Sequence, residues 1–237
     1  MSVMSKRLAK SLPVLYPLRS VDTAMVRLTV FPRRRRRITI EHRPLRGVTP
    51  AMLLGWFTQL DGTMTYGSET VDRYLAWHPI DHIRWELARE APSGGAAEGA
   101  RFRIVEAFGA RPEFRVDVVD RVEKLDVNGI RLVQRQAGVP IFQLEHTWSL
   151  GSDGTHYVST MDIGARSPLM APVNMMMWHR FSPAMARAWV KHNIEEVGQL
   201  EYLLPQLFSS GEAEPAQRAQ PGDGTPHRKH REAEPVH

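Results

Sequence analysis

No cysteine occurs in the 237 residues. Disulfides and thiolate metal ligation are thereby excluded together, leaving His, Asp and Glu as the side chains able to hold a metal ion. The chain also lacks an apolar run of 18 or more residues, so no helical membrane span is expected. Carboxylates are scarce at one end: residues 1–37 carry ten Lys or Arg and a single acidic residue, Asp22. The net charge of +5 is concentrated there, and the remainder is mildly acidic. Within that segment the run Arg33 to Arg37 either binds phosphates through counterion release or forms a solvated basic arm. No aromatic residues alternate with these arginines in the manner of single-strand binders, so nucleic acid is not expected as a partner. The stretch Leu12 to Leu18 is short, holds two prolines and has no small-residue cleavage pattern. It does not read as a secretion signal, and a cytoplasmic location is expected.

An apolar content of 42% is enough for one substantial core. The expected organisation is a basic arm over 1–37, a folded domain over 38–208 and a tail over 209–237. The tail is rich in Ser, Gly, Glu, Pro and Gln and almost free of large apolar residues. Its histidines, His227, His230 and His237, have no scaffold and are discounted as ligands.

Inside the domain, Thr49-Pro50 marks a helix start, and a second short helical stretch is expected around Val71 to Trp77. Strands are expected at Phe102–Phe108, Phe114–Val122, Lys124–Val127, Ile130–Gln134, Ile141–Leu150 and His156–Ile163. Asn128-Gly129 signals a hairpin and Gly151 to Gly154 a turn. Ser182-Pro183 caps a final helix that runs to Pro205. Consecutive antiparallel strands followed by one long helix define an α+β fold in which a curved sheet wraps that helix and leaves a cavity between them.

On the last helix, Met185, Trp189, Leu200 and Leu203 form an apolar stripe, with His192 and Glu196 in its middle, one turn apart. Lys191, Glu195, Arg187 and Glu201 are expected on a solvated side. A buried carboxylate needs a partner, and His192 with Glu196 forms either half of a metal site or a hydrogen-bonded pair. Two further histidines, His78 and His82, flank Pro79 and Asp81 in WHPIDHIRWE; spacing does not decide which is a ligand and which is structural, and a helix starting at Pro79 is one arrangement. His146 shares the apolar face of its strand with Leu144, Trp148 and Leu150. It is either a core histidine or a cavity-facing one.

The motif YLAWHPIDH, the Pro-Glu pair at Glu113, the strand QLEHTW and above all HNIEEVGQLEYLLPQLF resemble the 2,4-diacetylphloroglucinol hydrolase family, which includes phloretin hydrolase. The resemblance covers roughly residues 38–208. It implies a helix-grip fold like that of Bet v 1 and START domains, and one zinc held by His82, Glu113, His192 and Glu196. It also implies substrate contacts by Tyr74, His146 and Tyr157, while Trp85 stands where a small polar residue is expected. The implied reaction is hydrolysis of the bond between an aromatic ring and an acyl carbon. Zinc suits such chemistry because it acidifies water and stabilises a developing oxyanion. The expected substrate is a polyhydroxylated aromatic ketone, since flanking phenols let the ring carbon accept a proton. A non-catalytic carrier of apolar aromatic ligands is the alternative. The Met175 to Met177 segment is expected either to wall the ligand or to pack in the core. A homo-oligomer is left open.

Overall fold

The computed structural model describes residues 12–213. An eight-stranded antiparallel sheet dominates it, with order β1-β2-β10-β9-β8-β7-β6-β5. These strands are β1 (Met25–Phe31), β2 (Arg35–Glu41), β5 (His82–Arg89), β6 (Arg101–Ala107), β7 (Arg115–Asp126), β8 (Gly129–Gln136), β9 (Val139–Leu150) and β10 (Thr155–Ile163). A separate hairpin of β3 (Thr63–Tyr66) and β4 (Glu69–Asp72) sits between the helices α1 (Pro50–Thr58) and α2 (Arg73–Trp77). The chain ends in α3 (Ala171–Arg180) and the 27-residue α4 (Pro183–Ser209). The architecture is the expected α+β helix grip, in which one face of the sheet closes over α4. Val197, Leu200, Leu203, Leu204 and Leu207 of the helix share a core with Phe102, Val122, Ile130, Leu132, Trp148 and Tyr157 of the strands. Among the described residues no helix is long and apolar enough to cross a membrane.

Local chemistry places the boundaries. Ser182 caps α4 by accepting the Met185 amide at 3.2 Å, with Pro183 in the first turn. Ser182→Ala should lower the unfolding free energy by about 1 kcal/mol, measurable by urea denaturation; a change near zero would mean that the cap contributes nothing. The helix continues through Pro205 to Ser209 instead of stopping at the proline. The β7–β8 hairpin forms as expected, but its loop is Val127-Asn128 and Gly129 already belongs to β8. Gly129 has φ +156°, and a Cβ there would lie 2.3 Å from the carbonyl oxygen of His146. Only glycine permits that close approach.

Two expectations fail in instructive ways. The basic arm is not an arm beyond residue 24, because β1 and β2 are sheet strands and Arg33 and Arg34 form the turn between them. Arg36 is buried with its guanidinium 4.0 Å from the Trp178 ring, and Arg37 makes a bidentate pair with Asp162 at 2.8 and 2.7 Å. The expected solvated side of α4 is only half open: Arg187 and Lys191 are exposed, whereas Glu195 and Glu201 are largely covered. Residues 192–200 are all buried, since the segment preceding β1 lies across the helix: Arg19 pairs with Glu201 at 2.7 Å, and Gln199 donates to the Pro17 carbonyl. Glu195, expected in solvent, is buried and accepts from Lys191 at 2.5 Å. The first turn of the tail, residues 209–213, is described, whereas residues 1–11 and 214–237, including His227, His230 and His237, lie outside the described residues.

Candidate metal centre

The run after α2 turns sharply and enters β5 at His82, so no helix starts at Pro79. This turn separates the roles of the two histidines. His78 Nδ1 accepts the Asp81 amide at 3.2 Å, so its proton sits on Nε2, which faces Glu195 Oε2 at 3.4 Å. Both ring nitrogens are committed, and His78 is structural. His82 is the reverse case. Its Nδ1 lies 2.7 Å from the Tyr74 carbonyl oxygen, which can only accept, so Nδ1 carries the proton and Nε2 presents a lone pair. That Nε2 is buried and has no hydrogen-bond partner among the described residues.

His192 repeats the pattern from α4. Its Nδ1 donates to Asp81 Oδ2 at 3.0 Å, and Asp81 is itself fixed by accepting the Ala110 amide at Oδ1. Burial opposes ionisation of Asp81, but its bond to His192 and the neighbouring imidazoles prevail and hold its carboxyl below the usual range. The two free Nε2 atoms converge on two carboxylates. His82 Nε2 is 3.5 Å from both Glu106 Oε1 and Glu196 Oε2, and His192 Nε2 is 3.8 Å from Glu106 Oε2 and 3.7 Å from Glu196 Oε2. Two donors each about 2.1 Å from one ion and about 110° apart are separated by about 3.4 Å. The spacing therefore suits donors that share a single small cation. His82, Glu106 and His192 also form one of two His/Asp/Glu groups compact enough for a metal. The other joins His78, Asp81 and His192, but there the lone pair of His78 is already used.

Outer contacts aim the carboxylates. Tyr74 donates to Glu106 Oε1 at 2.5 Å, and its ring stacks on His82 with centroids 3.9 Å apart. Asn193 donates to Glu196 Oε1 at 2.6 Å, leaving Oε2 for the centre, while Trp77 Nε1 holds the Glu196 backbone carbonyl. Burial raises Glu106 to about 7 and Glu196 to about 8, and depresses His82 to about 4 and His192 to about 3. Every one of these shifts disfavours the charged form, as burial away from water does.

Glu113 does not join this cluster. It lies on the 3-10 turn Pro112–Phe114, which buries Phe114 and turns the carboxylate outward, where it is 55% exposed and paired with Arg111 at 2.6 Å. The carboxylate from this part of the chain is Glu106, directly across the β5–β6 ladder from His82. A readable signal existed, since Phe102, Ile104 and Glu106 alternate along β6 and place a carboxylate on an apolar face.

The three other expected site residues are buried near this centre. His146 faces inward from β9, stacked on Phe57 and 5.4 Å from the Tyr157 ring. Its Nδ1 lies 2.9 Å from Ser159 Oγ, which also meets His42 Nε2 at 3.0 Å. Tyr157 on β10 is 1% exposed, and its hydroxyl has no partner among the described residues. Burial, then the charge of Glu196, raises its pKa well above the ordinary value. Phe57, Trp77, Trp148 and Tyr157 thus give the centre an aromatic surround. Trp85 packs on Phe102 at 4.9 Å. Met175 and Met176 face solvent, and Met177 packs against an apolar cluster that includes Ile38, Ile40, Phe108, Met161 and Trp189.

No family model matches the chain, and no curated protein does. Solved structures similar to it include Ara h 8.0201, with 11% identity over 68% of this chain and 97% of the other and a TM-score of 0.37. A START superfamily protein from Mycobacterium smegmatis shows 14% identity over 69% and 98%, with a TM-score of 0.37. A protein from Rhodobacter sphaeroides shows 13% identity over 73% and 96%, with a TM-score of 0.41. Likeness at this level says nothing about activity.

Proposed function

We propose that the protein is a metal-dependent hydrolase that cleaves the carbon-carbon bond between a polyhydroxylated aromatic ring and an acyl group. The observation that carries the reading is the unpartnered lone pair of His82 Nε2, buried and facing two carboxylates with no donor between them. Three acceptors around one point repel one another unless a cation or a proton lies among them; burial holds the imidazole neutral and lifts both carboxyls, a strain that a bound cation would relieve. His82, Glu106, His192 and Glu196 would hold a divalent ion such as zinc. When bound, that ion supplies a Lewis acid for a ketone oxygen and for water.

The remaining roles belong to the chain. Tyr74 is kept neutral by burial and by Glu106, so it remains a hydroxyl donor fixed beside the centre. The free hydroxyl of Tyr157 is a partner for a ligand phenol, and His146, anchored at Nδ1 by Ser159, has Nε2 available to move a proton. The aromatic surround stacks on the ring and excludes bulk water. Overall, water adds at the acyl carbon, the acyl group leaves as a carboxylic acid, and the ring carbon takes up a proton.

Purified zinc-loaded protein incubated with acylphloroglucinols and dihydrochalcones should release the carboxylic acid, and His192→Ala should abolish that release. Equal turnover by metal-free protein would overturn the proposal. Tight ligand binding with no product over hours would instead identify a carrier.

A further inference from the structure

Part of the arginine run, Arg35 to Arg37, lines a pocket on the outer side of the sheet, away from α4. Arg35 and Arg37 alternate with the buried Arg36, Ile38 and Ile40, so their side chains leave the sheet on its outer side. Arg37, Asp162 and Gln143 stand in one cross-strand row over β2, β10 and β9. Beyond them the chain leaves β10 at Gly164 and folds back through Arg166 and Ser167. The resulting pocket has a volume of about 320 Å³, with Phe142 and Pro140 among its apolar walls.

Its charge is unbalanced. The lining holds four arginines and one carboxylate, Asp162. Both oxygens of Asp162 are taken by Arg37, and the Arg36 guanidinium is committed to Trp178. Arg35 lies 4.9 Å from the Phe31 ring, and neither its side chain nor that of Arg166 makes a hydrogen bond or ion pair among the described residues. Burial and then the charge of Arg166 depress the Arg35 pKa, with Asp162 opposing them only in part. The backbone enforces the approach. Gly164 has φ +92°, and a Cβ there would meet Arg35 Cγ at 3.0 Å and Asn174 Oδ1 at 3.1 Å. Asn174 in turn ties the loop to the hairpin, accepting the Ala165 amide and donating to the Arg33 carbonyl.

We propose that this pocket is a binding site for a phosphate group carried on a small molecule or a lipid, with Arg35 and Arg166 as the gripping pair. Guanidinium forks match phosphate oxygens two at a time, and a half-enclosed pocket screens that attraction less than open surface does. Phenyl phosphate represents the free source, since the apolar wall at Phe142 and Pro140 accepts its ring. Phosphatidic acid represents the lipid source, because Leu169, three residues after Arg166 in the chain, is exposed.

The test is titration of the full-length zinc-loaded protein with phenyl phosphate by calorimetry, alongside co-sedimentation with phosphatidylcholine vesicles with and without phosphatidic acid. Arg35→Gln and Arg166→Gln remove charge at half-exposed and exposed positions, so the fold and the zinc content should be unchanged. Each should weaken binding about tenfold or more. Saturable binding of phenyl phosphate that both substitutions weaken supports a site for a soluble phosphate ester. Binding confined to phosphatidic acid vesicles and lost in both variants supports the lipid source. Absence of both, or binding that the substitutions leave intact, overturns the proposal.

Discussion

Glu106→Gln is expected to lose a divalent ion loaded at the proposed centre, while Glu113→Gln keeps it. Glu106 faces both free imidazole nitrogens, at 3.5 Å from His82 and 3.8 Å from His192, and no other carboxylate besides Glu196 does so among the described residues. The amide is nearly isosteric but carries no charge, so the centre would retain one carboxylate against a divalent cation. Loss of an outer hydrogen-bond partner alone costs about 10- to 100-fold in metal affinity, and loss of a direct ligand should exceed that, so a fall of at least about 100-fold is expected. Glu113 is half-exposed and bound to Arg111, so its substitution should change affinity by less than about twofold, as for other surface positions. Zinc content after dialysis against a competing chelator separates the two variants. Full occupancy of Glu106→Gln, or loss of zinc from Glu113→Gln, would reject the four-residue centre.

The contrast between those two glutamates shows where the sequence was legible. Periodicity placed His192 and Glu196 on one face of α4 and His146 on the inner face of β9, because a helix or strand fixes the direction of each side chain locally. The last helix, the meander of strands and the α+β architecture followed from the same signals. Glu106 was equally available to that logic, whereas Glu113 was implied only by the family resemblance and stands exposed beside Arg111. What sequence pattern lacks is the cross-strand register that sets His82 opposite Glu106, and β5 itself was hidden by the turn Pro79 to Asp81. The burial of Glu195 and the folding of Arg36 and Arg37 into the sheet were illegible for a related reason. Each depends on a partner more than 100 residues away, His78 for Glu195, Trp178 for Arg36 and Asp162 for Arg37. No local period reports such a partner.

Protonation of His42 and His146 should progressively destabilise the fold as pH falls below about 6.5. Their rings meet across one hydroxyl, with Ser159 Oγ 3.0 Å from His42 Nε2 and 2.9 Å from His146 Nδ1. Two neutral imidazoles satisfy that arrangement, one donating to the oxygen and the other accepting its proton. An added proton would place a second donor on the hydroxyl and a charge in the core. Burial, with the neighbouring imidazole of His146 adding to the effect on His42, depresses both groups to about 3, against an ordinary value of 6.5. Because the folded pKa is the lower one, the unfolded chain binds more protons throughout that interval. Stability from these groups is complete above about pH 6.5 and is lost progressively as pH falls toward about 3, by up to about 1.4 kcal/mol per pH unit for each ring. Urea midpoints of metal-free protein between pH 7 and pH 4 give the slope. The double substitution His42→Gln, His146→Gln should be less stable at pH 7, where a hydrogen-bonded pair is lost. Its slope should be shallower by two protons, because glutamine does not titrate. An unchanged slope in the double variant would mean that neither ring is held neutral by the fold, and that the pH dependence comes from other buried groups such as His82 and His192.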